Sequence, residues 1–244
     1  LRAGEEAVIH GRVIARDLNP LPNVTVRVLG HTEYGTTTTR NDGQFDLAVN
    51  GGTAYVLQFL KSGYFEAQRK AQTVVQDFAV VGDVALVGRS SKSYQVNTMP
   101  PAILSPVVTR FENDLSGDRK TTLVFAPATV CTVATTSSAS TYTTFHVRAK
   151  EFTVGSNGDE AMPAELPPSS AYAFCAELSV DEATALVAAP GDPEPKVTFS
   201  TPVAIYVRDL LRLGVGSAIP LGYYDKPSAK WIADADGFVV AILS

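Results

Sequence analysis

The sequence predicts an all-β protein, in which a β-sandwich of immunoglobulin-like size precedes a second, irregular β-domain with one short helix. Fifteen prolines and 18 glycines are spread along the 244 residues, and because both residue types break helices they exclude a mostly helical fold. Short segments of alternating apolar and polar residues are separated by turn residues at intervals of roughly 8–12 residues. A chain of this length is more typical of two small domains than of one.

The charge distribution excludes two classes of partner. The 20 Lys and Arg residues are outnumbered by 25 Asp and Glu residues, the formal net charge is −5, and no stretch concentrates the basic residues. Proteins that bind nucleic acid or an anionic membrane surface carry such stretches. No apolar run approaches the ~20 residues of a membrane-spanning helix. We therefore expect no nucleic-acid partner and no membrane span.

Residues 1–88 contain the segments that predict the sandwich. These segments are Ala7–Arg16, Val24–Leu29, Thr36–Thr39, Gln44–Val49, Tyr55–Leu60 and the strands within Val74–Val87. In the second of them, Val24, Val26 and Val28 share one face because side chains alternate along a strand. The turn at Asn41–Gly43 contains an Asp-Gly pair, which is a strong hairpin signal.

Residues 1–88 also resemble the carboxypeptidase regulatory-like, transthyretin-like β-sandwich. The resemblance rests on GRVIARDLNPLPNVTVRVLG at 11–30, TTTRNDGQFDLAVNGG at 37–52 and LKSGY at 60–64. Turn glycines, a turn-setting proline, inward valines and a core phenylalanine carry it: Gly11, Pro22, Val24, Val26, Thr39, Asp42, Gly43, Phe45, Gly63 and Tyr64. Proteins with different activities bear this sandwich, so the resemblance implies a fold and not an activity.

Residues 89–103 are polar, contain Pro100-Pro101 and are predicted to be a linker to a domain at 104–244. The strands predicted in that domain are Thr121–Phe125, Val130–Val133, Phe145–Val154, Val197–Phe199, Val203–Val207, Ala218–Gly222 and Phe238–Leu243. A short helix is predicted over Val180–Ala189, because Ser179 and Glu182 fit an S-x-x-E capping box.

Residues 104–244 resemble a segment of bacterial Rhs-repeat proteins. The stretches that carry the resemblance are RAKEFTVG at 148–155, MPAELPP at 162–168, ELSVDEA at 177–183, IPLGYYD at 219–225 and VVAILS at 239–244. In these large secreted proteins, which are related in architecture to teneurins and to the cocoon of Tc toxins, the segment precedes a shell of tyrosine-aspartate (YD) repeats. Its teneurin counterpart, a fibronectin-like plug (FN-plug), closes one end of that shell.

This second resemblance implies a plug-like domain, a secreted or cell-surface location, a toxin-type parent, and the YD-repeat shell of the same parent chain as the partner. The repeats themselves do not occur in the 244 residues. We therefore expect the sequence to be a fragment of a larger protein.

The two cysteines, Cys131 and Cys175, are too few for a zinc site of standard spacing. Each lies in an apolar run typical of a strand. Two interpretations remain open: a disulfide, if the two strands are neighbours, or two buried reduced thiols that pack as small apolar side chains.

No sequence pattern predicts catalysis or a cofactor. His10 and His146 fit solvated or edge positions of strands, and neither GxSxG, HExxH nor a glycine-rich phosphate-binding loop occurs. Asp234–Gly237 is predicted to be a β-turn, because it lacks the further carboxylates of a calcium-binding loop. We predict that the protein is not an enzyme and holds no metal or cofactor.

The segment 202–244 combines apolar and aromatic side chains with few charges, which predicts a packing interface. The candidate interface residues are Tyr206, Leu210, Leu211, Leu213, Tyr223, Tyr224 and Trp231. Such an interface with the parent chain is expected to be large and apolar. In an isolated fragment the same residues would face solvent or be covered by self-association.

The functional hypothesis is a non-catalytic structural module that seals or supports the YD-repeat shell of an Rhs- or teneurin-like protein. Two alternatives come from other classes. The first is a cell-surface adhesive or glycan-binding module that uses the sandwich loops or an aromatic platform of Tyr223, Tyr224 and Trp231. The second is a pair of accessory domains from a secreted hydrolase.

Overall fold

The computed structural model describes residues 1–101, 104–109, 112–114, 117–153, 158–167, 172, 174–209 and 211–241. The chain forms two compact units. The first consists of Leu1–Gly88, Ser156–Tyr172 and Leu211–Ser244, and the second of Arg89–Gly155 and Ala173–Leu210. The first unit is therefore assembled from three separate stretches of sequence.

The regular elements are mostly strands, which confirms the predicted all-β fold. The strands are β1 (Glu6–Ala15), β2 (Thr25–Val28), β3 (Thr36–Thr38), β4 (Gln44–Asn50), β5 (Ala54–Leu60), β6 (Ala67–Gln72), β7 (Phe78–Val80), β8 (Val84–Leu86), β9 (Tyr94–Asn97), β10 (Ser105–Val108), β11 (Glu112–Asp114), β12 (Gly117–Arg119), β13 (Thr121–Phe125), β14 (Cys131–Ala134), β15 (Ala139–Tyr142), β16 (Thr144–Glu151), β17 (Ala176–Val180), β18 (Lys196–Phe199), β19 (Ala204–Val207), β20 (Ala218–Asp225) and β21 (Lys230–Phe238). The helical elements are single turns: a 3-10 turn at Thr32–Tyr34, α1 (Gly158–Ala161) and α2 (Asp181–Thr184).

The first unit is built around a sandwich of two four-stranded sheets. One sheet has the order β4-β1-β7, with β8 also paired to β1, and the other has the order β3-β2-β5-β6. Strands β7 and β8 run parallel to β1, whereas the other pairs are antiparallel. The hairpin β20–β21 and α1 complete the unit.

Alternation along the strands produces the sandwich core. Val24, Val26, Phe45 and Phe59 are fully buried, and the two phenylalanine rings meet edge to face with centroids 5.5 Å apart. A Cβ atom at Gly11 would lie 2.8 Å from Cε1 of Phe45, which is closer than packed carbon atoms approach. The packing of Phe45 against β1 therefore requires glycine at position 11.

The second unit contains three small sheets, with the orders β10-β13-β19, β15-β14-β18 and β17-β16-β9, and the separate pair β11-β12. Its core forms where Phe125 and Phe145 meet edge to face at 5.3 Å between centroids, with Phe199 5.6 Å from Phe125. These rings come from β13, β16 and β18, so the core joins three sheets.

The structure differs from the predicted domain division in two places. Residues 94–97, inside the predicted linker 89–103, form β9 and pair with β16, because Val96 is apolar enough to be buried in the core. The stretches 156–172 and 211–244, predicted to belong to the second domain, belong to the first compact unit. Their polar contacts with β6, described below, explain this placement.

The predicted helix over Val180–Ala189 is shorter, and its capping box does not form. Helix α2 begins after Val180, which has an extended backbone and makes no side-chain cap. Ser179 belongs to β17 and pairs with Arg148, while the Glu182 carboxylate accepts hydrogen bonds from the backbone N–H of His146 at 3.0 and 3.1 Å. Because β17 extends up to the first residue of the helix, Ser179 is part of the sheet and does not cap α2.

The predicted turn at Asp234–Gly237 is also corrected, since these residues lie within β21. The hairpin reverses instead at 226–229, where Asp225 Oδ2 accepts the backbone N–H of Ser228 at 3.2 Å. The predicted strand Phe238–Leu243 begins at the last residue of β21, and 242–244 lie outside the described residues.

Candidate functional site

The three histidines each contact one carboxylate near the surface. Nδ1 of His10 lies 2.7 Å from Oδ1 of Asp46, and Nδ1 of His146 lies 3.0 Å from Oε1 of Glu182. His31 makes the same type of contact with Glu33. Throughout the described ranges, no group of three or more His, Cys, Asp or Glu side chains is arranged to hold a metal ion.

Of the two interpretations left open for the cysteines, the structure has the free thiols. Cys131 lies on β14, whereas Cys175 precedes β17, a strand of a different sheet. Burial raises the pKa of Cys131 to about 11. Burial, with a smaller effect of Glu151, raises the pKa of Cys175 to about 12. Both thiols are therefore protonated at neutral pH, and protonated thiols are poor nucleophiles.

The predicted interface residues are divided by the structure. Tyr206 lies on β19 in the second unit, and its side chain is exposed. Leu211 and Leu213 are exposed in the first unit, while Leu210 lies outside the described residues. The aromatic residues Tyr223, Tyr224 and Trp231 lie on the hairpin β20–β21.

The two faces of this hairpin have different environments. Tyr224 pairs with Trp231 and Tyr223 pairs with Ile232, so the neighbouring tyrosines point to opposite faces. The rings of Tyr224 and Trp231 pack together with centroids 5.2 Å apart. Leu221 shares the face of Tyr223, and each is 54% exposed. The three aromatic residues therefore do not form one sugar-stacking platform.

The face of Tyr224 and Trp231 is anchored to the sandwich through edge strand β6. The Tyr224 hydroxyl donates a hydrogen bond of 2.6 Å to Oε1 of Gln68, and Nε2 of Gln68 donates to the carbonyl of Lys226 at 3.1 Å. The indole N–H of Trp231 donates to the carbonyl of Glu165 at 3.0 Å. Burial raises the pKa of Tyr224 to about 12, so this hydroxyl stays a donor at neutral pH.

The stretch 158–167 covers the same edge strand. The backbone N–H of Gln68 donates to the carbonyl of Pro163 at 2.7 Å, and Nη2 of Arg69 donates to the carbonyl of Glu160 at 2.6 Å. Gln68 is 1% exposed and Arg69 is 5% exposed. Burial lowers the pKa of Arg69, because the charged guanidinium has lost water.

We call Gln68 and Arg69, with the groups that contact them, the β6 clamp. Strand β6 was not predicted from the sequence, because it reads AQRKAQ and has neither β-branched residues nor apolar alternation. The polar character of this strand was the available signal, since its partners are backbone carbonyls and polar side chains, including the Tyr224 hydroxyl. The clamp holds the hairpin so that Leu221 and Tyr223 project into solvent.

The fold and the sheet order define the first unit as a transthyretin-like β-sandwich carrying added segments. Residues 1–86 match, more particularly, the family described as the teneurin TTR-like domain. This match confirms the transthyretin-like prediction for the first segment. It also shows a likeness to teneurins in residues 1–86, whereas the teneurin resemblance predicted from the sequence concerned residues 104–244.

The relatives found in the comparison are much longer proteins. Teneurin-1 of Mus musculus is 40% identical over 79 residues, which is 32% of this chain and 3% of the relative. Teneurin-3 of Mus musculus is 47% identical over 58 residues, or 24% of this chain and 2% of the relative. Teneurin-1 of Caenorhabditis elegans is 35% identical over 83 residues, or 34% of this chain and 3% of the relative. The chain thus spans about 3% of the length of the teneurins that it matches.

A solved structure of a streptococcal ancillary pilin aligns with 58% of this chain and 59% of its own, at 10% sequence identity and a TM-score of 0.27. That score is too low to define a shared fold. Within the described part of the chain, no helix is long and apolar enough to cross a bilayer.

Proposed function

We propose that the chain is a non-catalytic structural module that seals or supports the YD-repeat shell of a larger Rhs- or teneurin-like protein, secreted or held at the cell surface. The observation that carries the proposal is the two-sided hairpin β20–β21. One face is fixed by the β6 clamp, and the other presents Leu221 and Tyr223 to solvent. Asp234, the partner of Leu221, lies on the same face. Exposed apolar and aromatic side chains on an anchored element are typical of a packing interface.

The likeness of residues 1–86 to the teneurin TTR-like domain supports the class of parent protein. The Rhs-like stretches within 104–244 support the finer part of the proposal, in which a bacterial, toxin-type parent encloses its contents in the shell. The proposed partner is the apolar inner wall of that shell. Leu221 and Tyr223 would lose their exposure to water on packing against it, which is the source of the binding energy.

The test uses the parent protein and the accessibility of its enclosed contents to a protease. We expect Leu221→Ala and Tyr223→Ala to admit the protease about tenfold faster, since a side chain at the centre of an interface contributes about 1–2 kcal/mol. Neither variant should lower the melting temperature of the 244-residue chain, because both side chains are exposed there.

Tyr224→Phe is the matched control, because it alters the clamped face of the same hairpin and keeps the aromatic ring. The proposal fails if both alanine variants stay as well sealed as the wild type. It also fails if the gene that encodes the chain contains no YD repeats, or if the chain hydrolyses a panel of glycans or peptides.

A further inference from the structure

Strand β19 forms an uncovered edge in the second unit. Within the part of the chain that the structure describes, β19 pairs only with β13, and it is the last strand of its sheet. Ile205 and Val207 are 52% and 45% exposed, whereas Leu123, the partner of Ile205 on β13, is 4% exposed. Paired residues share a face of the sheet. The core-facing side of β19 is therefore only half covered.

A largely apolar groove lies next to this edge. Four charged residues contribute to its lining: Arg89, Arg148, Glu177 and Glu194. The groove has a volume of about 440 Å³, and its lining includes Ile205 and Leu123 together with Phe125, Phe199 and Leu178. Leu178 is itself an exposed apolar side chain. The apolar side chains of this groove are exposed to water, so their burial by an occupant would be favourable.

The backbone of β19 has hydrogen-bonding groups directed away from the sheet. The backbone N–H of Thr109 donates to the carbonyl of Thr121 at 2.9 Å, so Thr121 and alternate residues after it bond towards β10. The residues between them, Thr122 and Val124, therefore bond towards Tyr206 and Ala204 on β19. By the same alternation, the N–H and C=O groups of Ile205 and Val207 point outward.

A second edge strand in the same unit has the polar sequence expected of an edge that faces solvent. Strand β15 ends the sheet β15-β14-β18 and carries Ser140 and Thr141 on an exposed strand. Strand β19 has the sequence AIYV, without a charged or polar residue that would discourage pairing. Natural proteins protect solvent-facing edges with charges, prolines or bulges. The edge of β19 lacks these features.

We propose that β19 receives an extended strand of the parent chain, which pairs with Ile205 and Val207 and places its alternate apolar side chains in the groove. This inference rests on the proposed function. Outward backbone groups require a strand as occupant, and the groove requires apolar side chains at every second position. A parent of the length of mouse Teneurin-1, of which this chain spans 3%, has further chain that can supply such a strand.

A second copy of the chain fits this surface less well. Pairing two β19 strands joins only four residues of each copy. Stable dimers bury about 800 Å² on each partner, which is far more than such a short pair provides. A strand of the same parent chain needs no such area, because it is already tethered to β19 through the chain itself.

The experiment compares amide hydrogen exchange in the 244-residue chain and in the parent protein. We expect the amides of Ile205 and Val207 to exchange at least about tenfold more slowly in the parent, because they become hydrogen-bonded. Ile205→Thr keeps strand propensity but removes the apolar contact, and Val207→Pro removes an outward N–H. Ile205→Thr should abolish the protection of both amides in the parent. Val207→Pro should abolish that of Ile205, the amide that this variant retains, while Tyr206→Thr, on the opposite face, keeps the protection.

Rapid exchange of both amides in a parent whose shell is sealed would overturn the strand addition and leave the proposed function standing. A parent without a shell would overturn both proposals. Protection that appears in the 244-residue chain alone, and rises with its concentration, would identify a second copy as the occupant and also overturn the inference. If Val207→Pro fails to fold, Ile205→Thr alone decides the result.

Discussion

Strands β6 and β19 are both the last strands of their sheets, and their burial is the reverse of what their sequences suggest. Strand β6 reads AQRKAQ, yet Gln68 and Arg69 are buried. Strand β19 reads AIYV, yet all four residues are exposed. The comparison teaches that burial at an edge depends on the segments that reach it. Polar side chains become buried where carbonyl groups arrive to accept their hydrogen bonds.

The largest effect is expected from removal of the clamp arginine. Arg69→Ala leaves the carbonyls of Glu160 and Gln68 without their donor, so we expect the first unit to lose about 2–3 kcal/mol of unfolding free energy. Ile205→Thr, at the exposed edge, should cost about 0.5 kcal/mol or less. Denaturant unfolding followed by the fluorescence of Trp231, the single tryptophan, measures the first unit. The loss for Ile205→Thr, which lies in the second unit, is measured by far-ultraviolet circular dichroism of the same samples. Equal losses for the two variants would remove the distinction between the edges.

A smaller effect is expected within the hairpin. Tyr224→Phe removes the hydroxyl that donates to Gln68 and should lower the unfolding free energy by about 1 kcal/mol. Tyr223→Phe is the matched control. The Tyr223 hydroxyl lies on the exposed face of the hairpin, so its removal should have almost no effect on the unfolding free energy. The same fluorescence measurement applies, and a larger loss for Tyr223→Phe would contradict the assignment of faces.

The smallest effect is expected from titration of the Tyr224 hydroxyl, which changes the unfolding free energy only at alkaline pH. The pKa of Tyr224 is raised by burial from 10.0 to about 12, so the stability that depends on the neutral phenol is complete below pH 10. It is lost as the pH rises through 12. Tyr55, in the same unit, has its pKa raised to about 12 by burial and by its contact with Tyr34.

Wild type, Tyr224→Phe and Tyr223→Phe are compared by unfolding at a series of pH values between 10 and 12. Tyr224→Phe should show a shallower decline of stability than wild type, with Tyr55 responsible for the remainder. Tyr223→Phe should follow the wild type. Identical slopes in all three proteins would show that Tyr224 does not meet the clamp as described.

The sandwich was predictable where residues alternate and bury one face. The segments Val24–Leu29 and Gln44–Val49 coincide with β2 and β4 to within one residue at each end, because their inward residues are apolar. Strand β6 was missed for the opposite reason, since its buried Gln68 and Arg69 have no apolar signature. The segments that cover β6 follow much later in the chain, so a local sequence pattern cannot predict them.

The grouping of three aromatic residues on one hairpin was predictable, but the faces that they occupy were not predicted. Counting aromatic residues grouped Tyr223, Tyr224 and Trp231, but adjacent residues of a strand point to opposite faces. That rule was available from the sequence once the strand was recognised. The exposed edge at Ile205 was within a predicted strand, Val203–Val207, but its lack of a neighbour depends on the sheet order and had no local signal.

The polar composition of β6 has a consequence for biosynthesis. Pro163 follows Gln68 by 95 residues and Lys226 follows it by 158. A ribosome adds about 5–20 residues each second, so the edge emerges roughly 5–20 s before the first of these segments and roughly 10–30 s before the second. Throughout that interval the nascent sandwich offers glutamine and arginine to the surrounding water. An apolar edge exposed for the same time would pair with strands of other nascent chains and aggregate. The hydrophilic sequence of β6 thus protects the growing chain, and the same groups later fasten the finished unit.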